Sequence, residues 1–241
     1  MTALRAAHAE PPDGAHWVSM VELAGRGWSS AREELQTVDV VLLRHGDTRL
    51  SPERRFSGVG NADPVLSAAG RDQARRAADS ALLQGSAFTE VLTSPMTRCQ
   101  ETARIVAAAL DLSITVDRDL REMDFGMWEE MTFDEVQDRY PDDLLRWTQS
   151  AWASPTGSSE SIAAVVDRMG SVAARLASRY AGGSVLAITH VTPMKALVAH
   201  ALGAPPAALF HMEASSACFS RISYSGSDAS VRLFNDTSHL R

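Results

Sequence analysis

Two short apolar runs, each followed directly by a histidine, constrain the fold of this 241-residue chain most strongly. Residues 38–43 (Val-Asp-Val-Val-Leu-Leu) precede Arg44 and His45, and residues 185–189 (Val-Leu-Ala-Ile-Thr) precede His190. Runs of this length and composition are typical of buried strands in a parallel sheet. Ligands of open α/β sheets bind beyond the carboxyl ends of such strands. The sequence therefore predicts that the two imidazoles lie in one crevice.

The rest of the chain alternates between strand-like and helical segments. We predict strands at 38–43, 90–93, 113–116, 184–189, 216–224 and 230–235, and helices at 67–83, 95–110, from 132, 159–180 and from 192. Thr132 and Glu135 have capping-box spacing, and Thr192 is expected to cap a helix with Pro193 at its first position. This alternation predicts a three-layer α/β/α sandwich with a mostly parallel sheet and an antiparallel edge.

The N-terminal residues 1–37 differ from the remainder in composition. They contain Pro11-Pro12-Asp13-Gly14 and show little periodicity, which is typical of a tail or an interdomain linker. Trp17 and Trp28 are too apolar for a fully solvated tail, so part of the segment is expected to pack on the domain. Residues 38–241 are predicted to form that single domain.

Charge and cysteine content exclude several classes of protein. The net charge is −7, so a general nucleic-acid or anionic-membrane surface is not expected. No apolar run has the length of a membrane span, and the N-terminus lacks the apolar core of a signal peptide. Cys99 and Cys218 form neither a disulfide framework nor a zinc motif, so both are interpreted as core residues of a cytoplasmic protein.

Three predicted strand ends bring together groups that bind an anion. The first carries Arg44 and His45, the second leads through Ser94-Pro95 to Arg98, and the third carries His190. Helix N-termini and arginine forks both favour a dianionic phosphoryl group. The same groups stabilise the charge on a phosphoryl group during transfer, and a neutral imidazole can act as the nucleophile. The sequence thus indicates phosphoryl-transfer chemistry.

A leaving alkoxide needs a proton, and a carboxylic acid is the expected donor. Glu122, in the segment Leu120–Glu129, is the predicted acid. Glu129 is a rival that we interpret as structural or near the rim, and Asp124 is a weaker one. Arg54 or Arg55 could reach a second anionic group of the substrate.

Five ordered motifs resemble those of the histidine phosphatase superfamily, also called the phosphoglycerate-mutase-like fold. They span roughly residues 38–236 and lie at Arg44–Thr48, Phe56–Gly58 with Pro64–Ala74, Thr93–Ala103, Leu120–Glu129 and Ile188–His190. The Phe-Gly-x-Trp-Glu context of Glu122 is closer to the phosphatase branch of the family. That branch includes α-ribazole phosphatases and the acid phosphatase domain of actinobacterial bifunctional ribonuclease H/acid phosphatases.

The resemblance implies a phosphatase in which His45 is phosphorylated and Glu122 acts as acid and then as base. Arg44, Arg98 and His190 would hold the phosphoryl group. The further substrate contacts that it implies are Thr48, Ser57, Gly58 and Val191. It implies no metal and no organic cofactor, a small-molecule phosphate monoester as the partner, and a homodimer as a possible assembly.

Two other functions stay open at the level of sequence. One is mutase activity, which returns the phosphoryl group to the substrate instead of to water. The other is a non-catalytic module that binds a phosphorylated ligand. Ser51 and Ser57 stand where relatives often carry Asn and Gln, so the substrate is not named by the motifs.

Overall fold

The structure, a computed structural model, describes residues 37–60, 62–226 and 228–241. The predicted tail at 1–37 therefore lies almost wholly outside the described residues. Six strands form one sheet in the order β3-β2-β4-β1-β5-β6. They are β1 (Val38–Arg44), β2 (Val91–Thr93), β3 (Ile114–Val116), β4 (Ser184–Thr189), β5 (Phe219–Ser225) and β6 (Asp228–Asp236).

Strand direction follows the prediction of a mostly parallel sheet with an antiparallel edge. β1 pairs in parallel with β4, β4 with β2, and β2 with β3, whereas β5 is antiparallel to both β1 and β6. The register sets Arg44 beside Thr189 at the carboxyl ends of β1 and β4. The two strands that lead to the histidines are therefore adjacent in the sheet.

Seven α-helices occur in the described ranges, together with short 3₁₀ segments. They are α1 (Ala68–Ala78), α2 (Ala81–Gln84), α3 (Thr97–Leu110), α4 (Phe133–Arg139), α5 (Pro141–Gln149), α6 (Ile162–Arg179) and α7 (Val191–Leu202). No helix in these ranges combines the length and the apolar character that a membrane span requires.

Side-chain alternation along β1 separates two hydrophobic cores. Val40 and Leu42 pack with the core that contains α6 and α7, whereas Val41 and Leu43 pack with the core that contains α1 and α3. Successive residues of a strand point to opposite faces of the sheet, so each core covers one face. The predicted three-layer α/β/α architecture is confirmed.

Two predicted helix boundaries are wrong. The helix expected at 67–83 is interrupted after Ala78, because Ser80 adopts an extended backbone and its hydroxyl accepts the Leu83 N–H at the start of α2. The helix expected to begin after a Thr192 cap instead begins at Val191, with His190 in the N-cap position. By contrast, the capping box of Thr132 and Glu135 is present at the start of α4.

Candidate active site

The pairing of β1 with β4 brings His45 and His190 side by side. The His45 N–H donates to the Thr189 carbonyl (3.1 Å), and the two ring centroids are 5.1 Å apart. Both rings are buried beyond the carboxyl ends of the parallel strands. The two imidazoles therefore occupy one crevice, where ligands of such sheets bind.

Glycines allow the segment after β1 to lie directly on α1. A Cβ on Gly46 would come within 2.3 Å of the Gly70 carbonyl oxygen, and one on Gly70 within 2.0 Å of the Asp47 carbonyl oxygen. No side chain fits at either distance, and both obstacles are backbone atoms. The Arg-His-Gly motif thus needs its glycine for this close approach of two backbones.

Two hydrogen bonds define the tautomer of His45. Nδ1 lies 2.8 Å from the Gly46 carbonyl oxygen, which can only accept a proton. Arg98 Nε lies 3.3 Å from His45 Nε2 and can only donate. Nδ1 therefore carries the proton, and Nε2 is unprotonated, with its lone pair accepting the N–H of Arg98 Nε.

The surroundings of His45 keep its imidazole neutral. Burial, reinforced by the positive charges of Arg98 and Arg44, lowers the pKa of His45 well below its usual range. His190 has a lowered pKa for the same reasons, with burial as the largest cause and Arg98 next. A neutral ring with an unprotonated Nε2 is the form that can act as a nucleophile.

Several buried donors of the site have no hydrogen-bond partner among the described residues. They are Arg44 Nε, Arg98 Nη1 and the hydroxyl of Ser57. Arg98 is fully buried, and its Nη2 donates to the carbonyls of Ser57 (2.8 Å) and Gly58 (3.2 Å). Arg98 Nη1 does, however, form an ion pair with Asp63 Oδ1 (3.6 Å). Buried donors in native proteins are almost always satisfied, so the Arg44 Nε and Ser57 donors favour a bound anion.

Glu122 lies at the N-terminus of α7. Its side chain is buried, and the two carboxylate oxygens accept the N–H groups of Met123 (2.7 Å) and Thr192 (3.3 Å). The Thr192 N–H belongs to the first turn of α7. An N–H group in that turn has no acceptor within its own helix. Glu122 thus satisfies the helix end that we expected the Thr192 side chain to cap.

His190 contacts two side chains that the sequence analysis did not connect with it, those of Ser94 and Cys99. Its Nε2 lies 2.7 Å from the Ser94 hydroxyl and 3.4 Å from Cys99 Sγ. Burial raises the pKa of the Cys99 thiol to about 12, so it stays protonated. Cys99 therefore packs against His190 as a neutral group, in keeping with its interpretation as a core residue.

A cavity of about 560 Å³ opens in front of His45. Of the residues predicted as site residues, those that line it are Arg44, His45, Thr48, Ser57, Glu122 and Val191. Arg98 and His190 lie beside His45 but do not line the cavity, and Gly58 contributes a carbonyl to Arg98. The volume lies in the range of small-molecule sites.

The two rival carboxylates have other partners. Glu129 accepts the N–H groups of Gly58 (3.0 Å) and Gly60 (3.2 Å), and Asp124 accepts that of Gly126 (2.9 Å). Glu129 thereby holds the loop whose carbonyls orient Arg98. No local sequence pattern indicates this function, because Glu129 and Gly58 are 71 positions apart.

An ion pair between Arg168 and Glu160, which the sequence analysis did not identify, supports the loop that carries Glu122. Arg168 Nη1 donates to the Arg121 carbonyl (3.1 Å), and Arg168 Nε donates to Glu160 (2.9 Å). Glu160 also accepts the N–H of Asp124 (3.3 Å). The backbone is thus anchored on both sides of Glu122.

Comparison with known protein families agrees with the family that the motifs predict. A family model described as histidine phosphatase superfamily (branch 1) matches residues 40–237. The chain belongs to the histidine phosphatase superfamily. The predicted family is confirmed, and with it the predicted class of enzyme.

The relatives of this histidine phosphatase include a bifunctional protein and phosphatases that are named for different substrates. It is 37% identical over its whole length to the Bifunctional protein Rv2228c of Mycobacterium tuberculosis, and it spans 65% of that protein's length. It is 30% identical to the adenosylcobalamin/alpha-ribazole phosphatase of Escherichia coli, covering 80% of this chain and 94% of the relative. A solved mycobacterial glucosyl-3-phosphoglycerate phosphatase, in complex with VO3, matches with a TM-score of 0.74 and 26% identity over 83% of this chain and 99% of the other.

The lowered pKa of His45 predicts how stability depends on pH. The unfolded chain protonates this ring below about pH 6.5, whereas the folded protein does not, so the unfolded state binds more protons there. The free energy of unfolding therefore decreases as the pH falls below that point, by up to about 1.4 kcal/mol per pH unit for each such ring. Urea unfolding at pH 7.5, 6.5 and 5.5 measures this slope. The slope of a His45→Gln variant is expected to be smaller, and equal slopes would contradict a neutral buried His45.

Proposed function

We propose that this histidine phosphatase hydrolyses a small phosphate monoester through a phosphohistidine at His45, without a metal ion. The observation that carries the proposal is the neutral imidazole of His45, which lines the cavity and whose unprotonated Nε2 is held by Arg98. The phosphatase names of its relatives support the same reaction. The substrate is a phosphorylated metabolite small enough for a cavity of about 560 Å³.

In the first step, the lone pair of His45 Nε2 attacks phosphorus. The P–N bond forms as the bond between phosphorus and the ester oxygen breaks. The Nδ1 proton stays on the hydrogen bond to the Gly46 carbonyl, which stabilises the positive charge that the ring acquires. Protonated Glu122 donates its proton to the departing alkoxide, so the alcohol leaves neutral.

In the second step, water attacks the phosphorus of the phosphohistidine. Glu122, now a carboxylate, accepts a proton from the water, and the P–N bond breaks to release inorganic phosphate and neutral His45. Arg44, Arg98 and His190 are proposed to stabilise the charge on the phosphoryl oxygens in both steps. The Nε donor of Arg44, which has no hydrogen-bond partner among the described residues, and the buried Arg98 guanidinium beside His45 support this assignment.

The test is hydrolysis of p-nitrophenyl phosphate in the presence of EDTA, combined with acid-base mapping of the phosphoenzyme. We expect turnover that survives chelation, and we expect radiolabelled phosphate on the protein that is stable in alkali and labile in acid. Label of the opposite stability would indicate a different nucleophile, and loss of turnover with EDTA would exclude the metal-free reaction.

The two alternatives from the sequence give other outcomes of the same test. A mutase would show low hydrolysis that rises strongly when a bisphosphate primer is added. A binding module would show neither turnover nor label, yet would bind vanadate or inorganic phosphate. Either result would overturn the proposed hydrolase.

A further inference from the structure

Ser94 directly follows β2 and contacts His190, although it does not line the cavity. Its hydroxyl oxygen lies 2.7 Å from His190 Nε2, and it accepts the N–H of Met96 (3.3 Å). Both Ser94 and His190 are fully buried. A hydroxyl and an imidazole nitrogen can each donate or accept, so the direction of this hydrogen bond decides which of the surrounding polar groups are satisfied.

The imidazole of His190 is neutral, so only one of its two ring nitrogens carries a proton. The residue occupies the N-cap position of α7, where the helix dipole disfavours a positive charge. Burial, reinforced by the charge of Arg98, lowers the pKa of His190 well below its usual range. The neighbours of the ring therefore decide between a proton on Nδ1 and a proton on Nε2.

A proton on Nε2 would leave two buried groups poorly satisfied. Nε2 would donate to Ser94, and within the described part of the chain the Ser94 O–H would then have only the sulfur of Cys99, a weak acceptor. The lone pair of Nδ1 would face the same sulfur at 3.8 Å. The thiol proton of Cys99 cannot serve Nδ1 as well, because it is donated to the Thr189 carbonyl (3.4 Å).

A proton on Nδ1 leaves only one group without a good partner. The Ser94 hydroxyl then donates to Nε2 while it accepts the Met96 N–H, so both of its functions are used. The Nδ1–H is the remaining group, and its one contact among the described residues is the distant sulfur. A phosphoryl group at His45 would offer it an acceptor, because the two rings are only 5.1 Å apart and phosphoryl oxygens accept hydrogen bonds.

We propose that Ser94 is a positioning residue that holds His190 as the Nδ1–H tautomer, so that His190 donates from Nδ1 to the phosphoryl group. The role in phosphoryl transfer rests on the proposed phosphatase function, whereas the tautomer is a property of the folded protein alone. A ring nitrogen with a lone pair would repel the phosphoryl oxygens, whereas an N–H stabilises the negative charge on them.

The tautomer is measured by long-range proton–nitrogen correlation spectra of the full chain labelled with nitrogen-15 in its histidines, without ligand and near neutral pH. Protonated and unprotonated ring nitrogens differ widely in chemical shift. The signals of His190 are assigned through bonds from the backbone and checked by their loss in His190→Gln. We expect Nδ1 to be protonated and Nε2 unprotonated. The reverse pattern in the wild-type protein would overturn the proposal.

Three variants assign the tautomer to Ser94. In Ser94→Ala no hydroxyl donates to Nε2, so the two nitrogen shifts of His190 should move toward each other as the second tautomer becomes populated. Ser94→Thr keeps the hydroxyl and should restore the wild-type shifts. Cys99→Ala is the matched control, because it removes the other side chain that contacts Nε2 and should leave the tautomer unchanged.

Kinetics test the consequence for phosphoryl transfer. Ser94→Ala should lower kcat for p-nitrophenyl phosphate and weaken inhibition by vanadate, each by about 3- to 10-fold, the equivalent of one hydrogen bond. Ser94→Thr should recover most of both. A purely structural role of Ser94 would lower the melting temperature of Ser94→Ala without moving the nitrogen shifts.

The outcomes distinguish this inference from the proposed function. Unchanged nitrogen shifts in Ser94→Ala, or a change of tautomer in Cys99→Ala, would overturn the assignment to Ser94 and leave the phosphatase intact. Wild-type kcat in a Ser94→Ala variant whose shifts have moved would overturn the role of the tautomer in transfer. Failure of the wild-type protein to hydrolyse any phosphate ester would instead contradict the proposed function, because the tautomer is measured without a substrate.

Discussion

Replacing His45 by alanine is expected to reduce kcat for phosphate esters by about 10⁴-fold or more, the range seen when a catalytic nucleophile is removed. The physical reason is that, of the two buried imidazoles of the site, His45 lines the cavity, whereas His190 does not and its Nε2 lies 2.7 Å from the Ser94 hydroxyl. The measurement is initial-rate hydrolysis of p-nitrophenyl phosphate by wild type and variant at equal concentration.

A matched control separates chemistry from folding. His211→Ala changes an exposed histidine that does not line the cavity, and its kcat should equal that of the wild type. Both variants should give wild-type circular dichroism. Added imidazole should partly restore turnover in His45→Ala, because it can enter the space of the missing ring. Full activity in His45→Ala would exclude a phosphohistidine at this position.

Glu122→Gln is expected to separate the two half-reactions. An amide cannot donate the proton that an alkoxide needs, so hydrolysis of an alkyl phosphate should fall by about 10²- to 10⁴-fold. p-Nitrophenolate leaves without a proton, so phosphorylation of His45 by p-nitrophenyl phosphate should persist. Removal of the phosphoryl group from His45 should be slow, because no base then activates the water. Rapid-quench measurements should show a burst of p-nitrophenolate equal to the enzyme concentration.

Glu129→Gln serves as the control for Glu122→Gln. Glu129 accepts the N–H groups of Gly58 and Gly60 and so supports the loop that orients Arg98. Because Arg98 is used equally with both kinds of ester, Glu129→Gln should lower the turnover of alkyl and aryl esters alike and give no burst. If Glu129→Gln instead produced the burst and Glu122→Gln did not, the acid would be Glu129. Equal losses in the rate of His45 phosphorylation by both esters in Glu122→Gln would reduce Glu122 to a positioning residue.

Local sequence patterns were sufficient for the architecture of this protein. The apolar runs at 38–43 and 184–189 predicted buried strands of a parallel sheet whose ends share one crevice. The structure pairs these two strands directly, and the alternation along β1 separates the two cores. The motif residues His45, Arg98 and His190 also lie together as predicted. These inferences succeed because strand periodicity, and the rule that ligands bind at the carboxyl ends of parallel strands, depend on a few consecutive residues.

Tertiary packing decided the features that depend on distant residues. At the start of α7, where the sequence predicted a Thr192 cap, the Thr192 N–H donates to Glu122, 70 positions away. The tautomer of His45 depends on Arg98, which is 53 positions away, and the orientation of Arg98 depends on carbonyls of a loop that Glu129 holds. Lys195 lies in the cavity wall, where its Nζ donates to the Leu209 carbonyl, 14 positions away. Periodicity and capping rules describe contacts within a few residues, whereas the satisfaction of buried donors and acceptors is settled only when separate elements pack together.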